Sequence, residues 1–187
     1  MATIEQVKLS VRRTRVPASE GTLRAGVVSG LIAGLIMALV MMGHSSSAGM
    51  GFWTPMKTIA ATWMGVNALV GGFWTVALGL ATHFACAALW GAIFSSLIWR
   101  REAVAAAFWE GLVYGVAVWL IMTYIGLPIF DQTMMPRVGM MPGWWFYDHL
   151  IYGACLCVTP AVRRSMYPAE EGFYERSRER EIPAAYP

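Results

Sequence analysis

The chain has 187 residues, of which 57% are hydrophobic and only 13% charged, and it carries a formal net charge of +3. A water-soluble domain has about a quarter of its residues charged, so this composition excludes an ordinary soluble globule. The positive excess is gathered at the ends of apolar runs and not along a basic stripe, which excludes nucleic acid as a partner.

Residues 1–22 read as a polar tail. The apolar runs then come in order. Ala25 to His44 and Phe73 to Trp99 hold no Asp, Glu, Lys or Arg; Ala103 to Phe130 holds only Glu110, and Trp144 to Val162 only Asp148. Each is long enough to cross about 30 Å of hydrocarbon, which takes roughly 20 mostly apolar residues. The expectation is an all-α membrane fold, a four-transmembrane-helix bundle with spans at about 25–46, 73–99, 103–128 and 144–163. The first run lacks the short polar lead and the closing small-residue site of a cleaved leader. Residues 167–187, rich in Glu, Arg, Pro and Tyr, read as a second polar tail.

Between the first two spans, "TPMKTIAATWMG" predicts a short helix over about 55–65. Thr54 stands as N-cap, Pro55 at the first helical position and Gly65 as the stop. Met56, Ile59, Ala60 and Trp63 fall on one face, opposite Lys57, Thr58 and Thr62, as in a helix lying in the membrane interface. Trp53, Trp63, Trp74, Trp144 and Trp145 mark the outer boundary as an aromatic belt. Arg12, Arg13, Arg15 and Arg24 precede span one, Arg100 and Arg101 join spans two and three, and Arg163 and Arg164 follow span four. Only Lys57 and Arg137 occupy the other loops, so both termini are expected in the cytoplasm of a bacterial inner membrane.

The chain echoes itself. "GVVSGLIAGLIMA" from Gly26 and "GLVYGVAVWLIMT" from Gly111 share Gly, Val, Gly and Leu-Ile-Met in one register. Spans two and four each carry a histidine and end at paired arginines. This predicts a parallel repeat of two hairpins. Gly26, Gly30 and Gly34, and likewise Gly111 and Gly115, form small-residue strips that let helix backbones approach closely. The expectation is that spans one and three cross through these strips.

The "GLIAGLIMALV" of span one, the histidine-bearing span two and the "GWWFYDHLIYG" entry to span four, which runs into paired arginines, resemble the small YagU-like inner-membrane proteins of bacteria. The likeness covers residues 24 to 166 and does not extend to the "GMGFWTP" loop. It implies a four-helix bacterial membrane protein and assigns no residue a role.

Ionisable groups within membrane spans are functional suspects. His83 and Glu110 fall near mid-membrane, where a His83–Glu110 hydrogen bond would satisfy both. With His149 they form the candidate cofactor-binding set. Two histidines at one depth would hold haem, yet His83 and His149 differ in depth by about 8 Å at a rise of 1.5 Å per residue. Asp148 beside His149 suggests acid–base work or quinone contact. His44 with Met42 and Met50 is a copper candidate, since thioethers select Cu(I). The alternative is that the stretch is a membrane exit, with Ser45 to Ser47 satisfying freed carbonyls. Cys86, Cys155 and Cys157 have no metal-type spacing and read as small buried hydrophobes.

No nucleophile or phosphate-loop motif appears, so an enzyme is not expected. The leading expectation is a non-catalytic accessory subunit of a larger bacterial energy-transducing or electron-transfer complex, bound by lipids and other membrane subunits through its tails. Two alternatives stand beside it. One is a stand-alone bundle binding quinone, haem or copper. The other is a small pore lined by Glu110, His83, Asp148 and His149.

Overall fold

The computed structural model describes residues 18–98, 103–132, 134–140 and 142–167, and every regular element among them is helical. The helices are α1 (Ala18–Ser47), α2 (Thr54–Met64), α3 (Phe73–Leu97), α4 (Val104–Ile121), α5 (Met135–Met140), α6 (Pro142–Cys155) and α7 (Thr159–Met166). Most of both predicted tails, and Arg100 and Arg101, lie outside the described residues.

Three helical runs are long and apolar enough to cross a membrane: Gly21–Ser47, Phe73–Leu97 and Val104–Phe130. The fourth expected span is helical but broken. A 3-10 turn, Leu156–Val158, separates α6 from α7. Pro160 is the cause. It has no N–H to offer the Leu156 carbonyl four residues back, and the Thr159 hydroxyl donates to that carbonyl instead, at 2.7 Å.

Proline also reshapes the end of α4. Pro128 withdraws a donor, and the ladder slips into a π-helical turn, Met122–Gly126, before a last turn, Leu127–Phe130. Leu127 N–H donates to Met122 O, five residues back, and regular spacing resumes where Asp131 N–H reaches Leu127 O at 2.8 Å.

α1 is the shared wall of the molecule. Its buried residues come in pairs every fourth position: Ala25 and Gly26, Ser29 and Gly30, Ala33 and Gly34, Met37 and Ala38. The residues between, such as Leu31, Leu35 and Leu39, are exposed and apolar, as suits a helix in lipid. The second member of each glycine pair faces α3. A Cβ on Gly26 would come within 2.6 Å of the Gly91 carbonyl, and one on Gly30 would strike the Ala87 carbonyl. The first members face α6 and α7. The Ser29 hydroxyl lies 2.9 Å from that of Thr159, and Ala33 and Met37 pack with Tyr152 and Leu156.

α4 pairs with α6 in the same manner. Gly111 and Gly153 each lie against the other's carbonyl, and a Cβ on Gly115 would sit 2.5 Å from the His149 carbonyl. The glycine strips of spans one and three thus do not cross each other. Each binds a later helix, because the small residues that complete the close approach, Gly91 and Gly153, are on α3 and α6. The two pairs are joined by α1 against α6, and by two tyrosines. Tyr114 O–H donates to Trp90 O and Tyr152 O–H to Ala87 O, both at 2.7 Å. At the other end, buried Arg163 donates to the carbonyl and hydroxyl of Ser95 (both 3.0 Å) in the last turn of α3, where a cation is favoured.

The buried face of α2 differs from the apolar face that the sequence suggested. Met56, Thr58, Ala60 and Ala61 are buried, and Met56 seats its backbone on Gly79 of α3. Trp63, expected to share the buried face, is 67% exposed. Thr54 is the first helical residue instead of the cap, and its hydroxyl donates to Met50 O. Gly65 ends the helix at φ 61°, a backbone state that favours glycine.

Filling the glycine crossings should unseat the pairs. Gly30→Val and Gly153→Val are each expected to cost about 1–3 kcal/mol through overpacking. The check is thermal unfolding in detergent, with Val113→Ala on an exposed face unchanged.

Candidate functional site

α3 and α4 scarcely touch along their length, because each is held by its own glycine partner. The gap between them is a cavity of about 450 Å³. Met37 and Met41 of α1 line one wall, and Cys86, Trp90 and His83 of α3 another. Val118, Ile121 and Met122 come from α4, and Trp145, His149 and Tyr152 from α6. Ile59, Thr62 and Trp63 of α2 close one end with Asp131 and Met134. Leu89, Ile121 and Ile125 belong to the lining and are also exposed on the outer surface, so the cavity opens sideways between α3 and α4.

His83 and His149 come together in this cavity, although their sequence positions suggested different depths. Relative to the glycine crossings, His83 lies eight residues before Gly91 and His149 four residues before Gly153. Both are buried, at 8% and 4% exposure. Each is held by a backbone carbonyl. His83 Nε2 is 2.9 Å from Gly34 O, and His149 Nδ1 is 2.8 Å from Trp145 O. The expected His83–Glu110 bond does not form, since the glycine approach brings the Gly34 carbonyl of α1 to the His83 ring first. Glu110 lies on an exposed face of α4 and does not line the cavity.

Asp148 is buried on α6 but does not line the cavity either. Neighbouring helical residues point about 100° apart, so Asp148 and His149 form no acid–base pair, and His149 is bonded to Trp145 instead. With Glu110 and Asp148 elsewhere, the four residues of the pore reading share no common interior.

The copper candidates face different neighbours. Met42 is buried with Ala38 and Met56, Met50 is 45% exposed, and the His44 ring stacks on Trp144 with centroids 3.5 Å apart. Ser45 and Ser47 donate to Gly51 O and His44 O, both at 2.8 Å. Cys86, Cys155 and Cys157 are free and only partly buried.

Sequence reasoning missed Asp131 and Thr62. Asp131 is 5% exposed and accepts from the Thr62 hydroxyl (2.5 Å) and from Met134 N–H (2.9 Å). It fastens α2 to the chain after α4 across the end of the cavity. The available signal was an acid directly after an apolar run, "LPIFDQT", where an unpaired carboxylate would be costly. Tyr152 was also missed; nothing distinguishes it in sequence from an aromatic of the interface.

No family model, curated protein or solved structure matches this chain. The chemistry of the cavity therefore has to carry the functional argument.

Removing the Thr62 hydroxyl tests the closure. Thr62→Val leaves a buried Asp131 oxygen without its donor, at a cost of about 1–3 kcal/mol. The α2 amides should then exchange hydrogen roughly fivefold faster or more, measured by mass spectrometry in detergent, with those of α1 unchanged.

Proposed function

We propose that this chain is a non-catalytic integral membrane protein that holds a lipid-soluble small molecule between its two helix pairs. One observation carries the reading: an apolar cavity, open towards the surrounding medium, has an imidazole from each pair in its wall. Pockets for small ligands are mostly apolar with a few placed polar groups. An opening edged by Leu89, Ile121 and Ile125 suits a ligand that arrives through lipid, not through water.

In this reading the broken helix α6–α7 completes a fourth crossing and the bundle is a parallel repeat of two hairpins. The support is that Gly26 and Gly30 meet Gly91 in one pair as Gly111 and Gly115 meet Gly153 in the other. Four crossings also agree with the arginine distribution, with both termini in the cytoplasm of a bacterial inner membrane. The accessory-subunit expectation rested on the tails, which lie largely outside the described residues. The cavity gives the ligand-binding reading the stronger support.

The test is a donor-free apolar probe. Pyrene added to the protein in lipid nanodiscs should show saturable energy transfer from tryptophan, since Trp63, Trp90 and Trp145 line the cavity. Cys86→Trp, which fills the space, should abolish the saturable component while leaving the melting temperature near that of the parent. Transfer that rises without saturation in both proteins would sink the proposal.

A further inference from the structure

The hydrogen-bonding state of the cavity walls specifies the ligand further, resting on the binding reading above. A carbonyl oxygen only accepts, so His83 donates its Nε2–H to Gly34 O and His149 its Nδ1–H to Trp145 O. A neutral imidazole has a single N–H. Each ring has therefore committed its donor to backbone and keeps a lone pair, on Nδ1 of His83 and on Nε2 of His149. Neither nitrogen takes a hydrogen bond from any described residue, and neither is sealed off from open space. Both belong to side chains more than nine-tenths buried.

Most of the other donors in the wall are committed too. Tyr152 donates to Ala87 O, Trp145 Nε1–H to the Thr123 hydroxyl (2.7 Å), and Thr62 to Asp131. Trp63 Nε1–H donates to the Thr82 hydroxyl at 2.9 Å, on an exposed edge. The Thr82 hydroxyl, the weakly donating Cys86 thiol and the Trp90 indole Nε1–H, which meets no acceptor among the described residues, keep a hydrogen. Both imidazoles thus offer acceptors to the cavity, and the Trp90 indole is the one strong donor left uncommitted among its described lining residues.

A ligand that brings only carbonyl oxygens would set lone pair against lone pair, and both imidazoles would stay unsatisfied. A ligand that brings hydroxyl hydrogens completes them. Aromatic faces and edges at Trp90 and Trp145, with thioethers at Met37, Met41 and Met122, suit a flat ring. We propose that the cavity binds a membrane hydroquinone in preference to its quinone, the ring hydroxyls donating to Nδ1 of His83 and Nε2 of His149. An alkyl tail would leave through the opening between Leu89 and Ile125.

Displacement of pyrene from the protein in nanodiscs tests this with four competitors under anaerobic conditions: a decyl-substituted benzohydroquinone, its quinone, its dimethyl ether, and decanol. The hydroquinone should displace pyrene at a concentration roughly tenfold or more below the quinone and the ether, the effect of one or two buried hydrogen bonds. His83→Phe and His149→Phe should each shrink that preference by about tenfold or to nothing. If neither variant folds, the four-competitor comparison on the unaltered protein decides alone. Equal displacement by hydroquinone and quinone overturns the proposal and leaves the apolar cavity standing; so does decanol matching the hydroquinone. A Soret band on adding haem that is lost in His149→Phe overturns it in favour of axial ligation. Absence of saturable pyrene binding removes both this inference and the reading beneath it.

Discussion

Backbone-to-backbone contact at glycine is the constraint from which the rest of this structure follows. In lipid there is little hydrophobic reward for bringing two apolar helices together, so close packing must supply the attraction. Gly26 and Gly30 against Gly91, and Gly111 and Gly115 against Gly153, let the main chains meet with no side chain between them. Once α1 is committed to α3 and α4 to α6, the face of α3 turned to α4 carries Thr82, Cys86, Leu89 and Trp90 and offers no glycine for close approach. The space between them is a consequence of that commitment. Tyr114 and Tyr152 bridge it at one level with hydroxyl-to-carbonyl bonds, and beyond them it stays open as the cavity.

A second constraint is that polar groups in an apolar medium must find partners inside the protein. The structure meets it locally wherever the helical ladder is interrupted. The Thr159 hydroxyl takes the carbonyl that Pro160 leaves open, and the π turn before Pro128 shifts the ladder by one residue. Ser29 bonds back to Ala25 O, and Ser95 reaches Thr22 O. The histidines obey the same rule, which is why each turns its N–H to a carbonyl. Satisfying the backbone in this way fixes the tautomer of both rings, and the tautomer decides what chemistry is left facing the cavity.

How much of this the sequence shows depends on whether a feature is periodic or spatial. Three long apolar runs and the glycine spacing are periodic, and they can be read from residue order. The break at Pro160 and the π turn at Pro128 were within reach, because proline's missing donor is a local fact. The partners of the glycine strips were not. A GxxxG step says that something packs closely, and only Gly91 and Gly153 in space say what. His83 and His149 could be named as suspects, but their meeting depends on where each helix sits along its partner. Residue counting from the span ends does not give that offset. Asp131 and Thr62 are 69 residues apart, and nothing in residue order links them.

The cavity's character follows from these packing and hydrogen-bonding rules without appeal to any catalytic group. Its walls are apolar because they belong to helices whose other faces meet lipid. Its two imidazoles face it as acceptors because their N–H groups have been drawn to backbone carbonyls, and the Trp90 indole remains as a donor beside them. Asp131, the carboxylate among the described lining residues, stands at one end with the Thr62 hydroxyl and Met134 N–H already bound to it. An uncharged, hydrogen-donating ring is therefore the species whose properties complement the site. The proposed preference for hydroquinone over quinone is the same argument applied to the ligand: the group that enters must bring the hydrogens that the fold has used to hold itself together.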